Sequence, residues 1–171
     1  MRIAILKIGV VVAMCVVSCV FPQVIPAQYY YDLEENPLIG KSLPESKIKN
    51  LKGNKVSLAD YIKGSRTIFF FWATWCPHCR ETIEGLAQKK NFFRQSRVNL
   101  VLVNVGETQK IAKKFIDRNN IGYEVLIGDE DALADDLALI GVPTFFFVNE
   151  SGTIQDVRHS YPEKLDEIFK Q

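Results

Sequence analysis

The chain is poor in several things at once. Of its 171 residues only four are cysteine, seven proline and ten glycine, and 21 basic side chains nearly balance 20 acidic ones, for a formal charge of +1. Four cysteines cannot staple a chain of this size, so a disulfide-dense scaffold is excluded. Scattered glycine and proline exclude collagen-like and low-complexity architectures. Near-neutrality without a block of either sign removes the electrostatic footprint of a nucleic-acid binder, and no nucleic-acid partner is expected. What is present is a 47% hydrophobic share with 11% aromatics, enough for a packed core. The length suits one domain, at roughly 100 to 200 residues each.

Residues 1–27 contain no acid: Arg2 and Lys7 precede an uncharged run, 8–21, that Pro22 closes. That is the layout of a secretory signal. The run is shorter than the roughly 20 residues of a membrane-spanning helix. Three readings stand side by side. One is a signal peptide, 1–27, cut after Ala27; another is a lipoprotein signal, 1–18, with Cys19 carrying the lipid; the third is an uncleaved anchor. Each implies an exported protein of the periplasm or cell envelope, with membrane association only through this segment if it is uncleaved or lipidated. On the first reading Cys15 and Cys19 are lost, Cys76 and Cys79 remain, and losing Arg2 and Lys7 tips the charge slightly acidic. In an oxidising compartment such a thiol pair is poised to react.

Residues 28–37 read as a linker and 38–171 as the domain. Short apolar alternations flank Lys52-Gly53-Asn54, a hairpin turn, and Ser57 is placed to cap a brief helix. The run 67–73 is apolar throughout, as a strand covered on both faces would be. Helical spacing then predicts a helix over 77–95, a strand over 98–105, an amphipathic helix over 109–119 and a strand over 123–127. A helix over 131–140 would turn Leu133, Leu137 and Ile140 inward. Strands 144–149 and 153–158 flank a Glu150-Ser151-Gly152 turn, and Pro162 opens a last helix reaching residue 170. Alternating units give an α/β domain: parallel strands with helices on both faces, edged by an antiparallel hairpin.

The chemistry concentrates in Phe71-Trp72-Ala73-Thr74-Trp75-Cys76-Pro77-His78-Cys79-Arg80, where a strand ends and a helix begins. A cysteine at a helix N-terminus faces unsatisfied N–H groups and the positive end of the helix dipole, which favours thiolate. Cys76 takes that position, expected to be exposed, as the attacking nucleophile. Pro77 fits the first turn, where no N–H is needed. His78, when protonated, adds positive charge beside Cys76 and tunes the couple toward a more oxidising disulfide. Cys79 lies one turn on, more buried, placed to resolve a mixed disulfide. Trp75 offers an apolar rim to a substrate chain. A purely structural bond between these cysteines would close too small a loop to stabilise much. A zinc site needs four ligands, and only His78 and His159 remain as soft partners, so no metal and no cofactor is expected.

These ten residues resemble the active-site stretch of thioredoxin-fold proteins, and specifically of the TlpA/ResA-like extracytoplasmic thiol–disulfide oxidoreductases. The resemblance runs over most of the domain and implies a thioredoxin fold, a central mixed β-sheet flanked by helices. An N-terminal β-hairpin and an inserted α-β unit over 109–127 are added to it. Ile140-Gly141-Val142-Pro143-Thr144 resembles the family's cis-proline loop, which implies a cis Pro143 and a Val142 backbone that docks the substrate strand. It further implies disulfide-containing envelope proteins as partners, with cytochrome c maturation among the settings, and a membrane thiol electron donor. The chain departs from the family where an acid usually follows the second cysteine: Thr82 stands there, with Glu81 one place early. Phe70 replaces the buried acid of plain thioredoxins. The proton acceptor for Cys79 stays open among water, His78 and Glu81. Thr144 stands where the cytochrome-maturation branch often has an acid.

Two other functions compete. Pro77-His78 resembles the dipeptide of the disulfide-donating oxidase DsbA, although the chain lacks room for that family's helical insertion. Cys76, Cys79 and a histidine would suit Cu(I), as in copper chaperones of related fold, but those space the cysteines differently and nothing in the sequence places His159 near the pair. A peroxiredoxin-type peroxidase lacks its Pro-Thr-Cys loop here.

Overall fold

The computed structural model describes residues 35–46 and 48–169; the leader alternatives over 1–27 and the linker as far as residue 34 lie outside the described residues. Among the described residues no helix is long and apolar enough to cross a membrane. Among the described residues the seven strands are β1 (Ile48–Asn50), β2 (Lys55–Val56), β3 (Arg66–Trp72), β4 (Val98–Val105), β5 (Glu124–Gly128), β6 (Thr144–Val148) and β7 (Ile154–Arg158). The helices are α1 (Pro77–Ala87), α2 (Lys90–Ser96), α3 (Gln109–Arg118) and α4 (Glu130–Leu137). One sheet takes the order β2-β1-β5-β4-β3-β6-β7. Strands β3, β4 and β5 run parallel, while β6, β7 and the β1–β2 hairpin are antiparallel to their neighbours. This is the mixed, thioredoxin-type α/β sheet that the sequence implies.

Strand β3 sits inside the sheet because it has no polar face to show. Ile68, Phe70 and Trp72 point into one core and Phe69 and Phe71 into the other, all of them fully buried. The first core receives Cys79, Ile83 and Leu86 of α1, Phe93 of α2 and Ile116 of α3. The second receives Leu58 and Ile62 beside a 3-10 turn capped by Ser57, and Leu133 and Leu137 of α4. Phe70 stacks on Phe145 of β6 at 4.3 Å between ring centroids, and Phe71 meets Phe146 edge-on. The edges are short or irregular: β2 has two residues, and a register shift between Phe147 and Val148 disturbs the β6–β7 pairing.

Three helix expectations need correction. The stretch 77–95 is two helices, not one. The chain leaves helical geometry at Lys89 (φ −92°, ψ 13°) although no glycine or proline stands there. The bend lets Phe93 bury itself against Tyr123 and Tyr161, while Lys89 Nζ sits 4.6 Å from the Tyr161 ring centroid. Second, α4 stops at Leu137 because Ala138 takes a left-handed conformation (φ 50°), so Ile140 is 69% exposed rather than inward. Asn36 Nδ2 donates to the freed carbonyls of Leu137 and Ala138. Third, the tail forms only a 3-10 turn, Leu165–Glu167, instead of a helix from Pro162. Leu165, Ile168 and Phe169 are drawn into the core, an apolar spacing that a tight turn satisfies.

Burial, with a smaller contribution from Tyr161, pushes the Tyr123 phenol up to about 12, and its hydroxyl donates to the Leu86 carbonyl. The unfolded chain would ionise this phenol near its ordinary 10.0, before the folded one does. Its contribution to stability is therefore complete below about pH 10 and is lost as the pH rises from about 10 to about 12. Urea unfolding across that range should show the decline, and Tyr123→Phe should flatten it.

Candidate active site

The site forms because β3 runs out of apolar sequence just as a helix begins. After Ala73 the chain turns through Thr74 and Trp75, and Cys76 becomes the N-cap of α1 in extended geometry (φ −84°, ψ 112°) with Pro77 at the start of the helix. Cys76 Sγ accepts the Cys79 N–H at 3.2 Å, so one of the helix's orphan donors points at sulfur. The two cysteines are joined as a disulfide, with Cα atoms 5.2 Å apart. Cys79 is wholly buried among the side chains of the first core. Cys76 is also nearly enclosed at 5% exposure, which corrects the expectation of an exposed nucleophile. The segment around Val142 covers it: the Val142 carbonyl oxygen lies 3.8 Å from Cys76 Sγ.

The other residues singled out in the sequence fall around this pair in unequal ways. Trp75 is 64% exposed, an apolar side chain at the rim. His78 projects into solvent and pairs with Glu81 Oε2 at 3.6 Å. The peptide between Val142 and Pro143 is cis. His159, which nothing in the sequence linked to the site, lies against the same loop. Its Nδ1 is 3.0 Å from Thr144 Oγ1 and 3.1 Å from the Pro143 carbonyl. Among the described residues no group of three or more His, Cys, Asp or Glu side chains is arranged to hold a metal ion.

Sequence reasoning missed Glu107. One carboxylate oxygen accepts from the Thr74 N–H at 2.7 Å and from Asn104 Nδ2 at 2.7 Å, and the other accepts from Thr74 Oγ1 at 2.5 Å. Arg80 Nη1 donates to the Thr74 carbonyl at 2.9 Å. Thr74, two residues before Cys76, is thus held at its amide, hydroxyl and carbonyl. Beside this clamp, Trp72 Nε1 and Asn104 Oδ1 are buried without a partner among the described residues. A signal did exist, because functional groups in open α/β sheets gather at the carboxyl ends of strands. Glu107 follows the carboxyl end of β4, the parallel neighbour of β3.

As chemistry, the arrangement pairs an N-cap sulfur with a buried partner sulfur and sets a backbone carbonyl, that of Val142, 3.8 Å from the first of them. When the disulfide is reduced, the Cys79 N–H and the start of α1 favour negative charge on Cys76.

Known proteins share this plan. A model of the AhpC/TSA family matches residues 39–157. The thiol-disulfide oxidoreductase ResA of Bacillus cereus is 27% identical over 146 residues, 84% of each chain. The sporulation thiol-disulfide oxidoreductase A of Bacillus subtilis is 28% identical over 114 residues, covering 65% of this chain and 68% of its own. Among solved structures, a thiol:disulfide interchange protein from Bacteroides sp. is 26% identical with a TM-score of 0.61, covering 71% of this chain and 82% of its own.

Glu107→Ala should release Thr74 and lower the stability of the oxidised protein by about 2 kcal/mol, the scale of hydrogen bonds to a charged group. Urea unfolding measures this, and Glu107→Gln, which keeps one acceptor oxygen, should lose less.

Proposed function

Because the chain belongs to the AhpC/TSA family, we propose that it works as a thiol–disulfide oxidoreductase in the reducing direction, on disulfides of envelope proteins, with Cys76 and Cys79 as its catalytic pair. That the protein is a protein disulfide oxidoreductase agrees with the names of its relatives. The observation that carries the further reading is the seat of Cys76, with Sγ 3.2 Å from the Cys79 amide nitrogen and 3.8 Å from the Val142 carbonyl. A dithiol so placed attacks a disulfide whose chain lies along residue 142.

In the first step the Cys76 thiolate attacks one sulfur of the substrate disulfide. A Cys76–substrate disulfide forms, and the other substrate sulfur leaves as a thiolate that takes up a proton. In the second step the Cys79 sulfur, having lost its proton, attacks Cys76 Sγ and expels the remaining substrate sulfur. The substrate has gained two electrons and the protein is left as the Cys76–Cys79 disulfide. A dithiol donor, which we assign to a membrane thiol carrier, returns the pair to the reduced state. Trp75 and the Val142–Pro143 segment receive the substrate chain, and Pro77 and His78 tune the couple. Cytochrome c maturation is one setting that fits. The acid-free start of the chain supports export to the periplasm or envelope.

Cys76→Ser should abolish turnover in an insulin-disulfide reduction assay, and Cys79→Ser should instead trap the mixed disulfide, visible on a non-reducing gel. Full activity in Cys76→Ser would remove the mechanism. A reduction potential near about −270 mV supports the reducing direction, whereas one near about −120 mV would make the protein a disulfide donor.

A further inference from the structure

The loop that faces Cys76 is anchored by the Val142 side chain, which packs against both cores, and little else of it is buried. Gly141 has open space where a side chain would be, Ile140 is 69% exposed, and Val142 and Pro143 are only half-buried. One packed side chain does not by itself fix the backbone directions of the residues around it, which would otherwise keep their conformational freedom. Hydrogen bonds hold them instead, and their directions follow from the donors present.

Thr144 is buried at 2% exposure, and its hydroxyl donates to the Gly141 carbonyl at 2.7 Å. That proton being committed, Thr144 Oγ1 can only accept from His159, so His159 Nδ1 carries a hydrogen and donates across 3.0 Å. The same N–H lies 3.1 Å from the Pro143 carbonyl, a three-centre arrangement. The imidazolium and the Nδ1–H neutral form both satisfy it.

The result is selective. Carbonyls on both sides of residue 142 are occupied, Gly141 by Thr144 and Pro143 by His159, and Pro143 has no N–H. The Val142 N–H and C=O have no backbone partner among the described residues, and the C=O lies against Cys76 Sγ at 3.8 Å. The bonding pattern occupies the two flanking carbonyls and leaves the Val142 backbone, beside the reactive sulfur, available to pair with another chain. We propose that His159 is a positioning residue for substrate docking, one that holds the loop so that the Val142 N–H and C=O face an incoming extended segment of a protein substrate. This rests on the reading of the 142–143 loop as the substrate's docking backbone. Residue 159 follows the last residue of β7, Arg158, so the brace ties the loop to an edge strand rather than to the dithiol helix.

A positioning role separates substrates by size. A protein disulfide docks along Val142, whereas glutathione disulfide presents little backbone to pair there. His159→Ala should raise KM for oxidised insulin about fivefold with little change in kcat, the equivalent of the ~1 kcal/mol net of one hydrogen bond. The rise should exceed any change with glutathione disulfide by a similar factor. His159→Asn, which keeps an N–H donor near the Nδ1 position, should restore most of the KM. An unchanged KM in His159→Ala, an equal loss on both substrates, or no rescue by Asn would each overturn the proposal. If the unaltered protein reduces neither substrate, the functional reading itself has failed, and that result is distinct because it appears before any substitution is made.

Discussion

Everything in this molecule hangs on a strand that cannot touch water. The β3 segment from Ile68 to Trp72 is fully buried, and its alternate side chains feed two cores. Burying a large apolar side chain is worth about 1.5–3 kcal/mol, so leaving either face bare would be expensive. Helices therefore cover both faces, and β4 and β6 flank the strand, one parallel and one antiparallel. The antiparallel choice fixes the site. With Phe71 opposite Thr144, the end of β3 and the beginning of β6 lie side by side. Cys76 emerges from one and the 142–143 loop leads into the other.

Hydrophobic register brings the two loops together but does not set their finer positions. That falls to polar contacts at the rim of the sheet. Glu107 gathers the amide and hydroxyl of Thr74 together with the Asn104 side chain, and Arg80 takes the Thr74 carbonyl. On the other side, Thr144 and His159 occupy the carbonyls around Val142. Core packing makes the site near, and hydrogen bonds make it oriented. The division suits a dithiol that exchanges partners, because apolar contact alone carries little direction.

What the sequence revealed follows the range of each physical signal. The nearly unbroken burial of β3, β4 and β6 and the N-cap position of Cys76 are local, and the residues themselves declare them. The bend at Lys89 is not local, since it exists for contacts of Phe93 with tyrosines far along the chain. Nor does the composition of 131–140 announce the left-handed Ala138 that ends α4 and turns Ile140 outward. Cys76 sat at the expected place, yet its enclosure came from the segment around Val142, which sequence distance hides. Glu107 and His159 were legible only as an acid and an imidazole; their roles appear once strands and turns bring them to Thr74 and Pro143.

A sheet of seven strands has two margins at which another chain could add. One margin of the sheet ends in the two-residue β2, too short to template another chain. The other margin is β7, which carries Asp156 and Arg158 and pairs with β6 through a register shift. Short, charged and irregular margins are how sheets avoid recruiting neighbours into aggregates. Both margins of the sheet are thus poor templates for a growing fibre, and the chain that carries a reactive sulfur pair does not also carry an open invitation to stack.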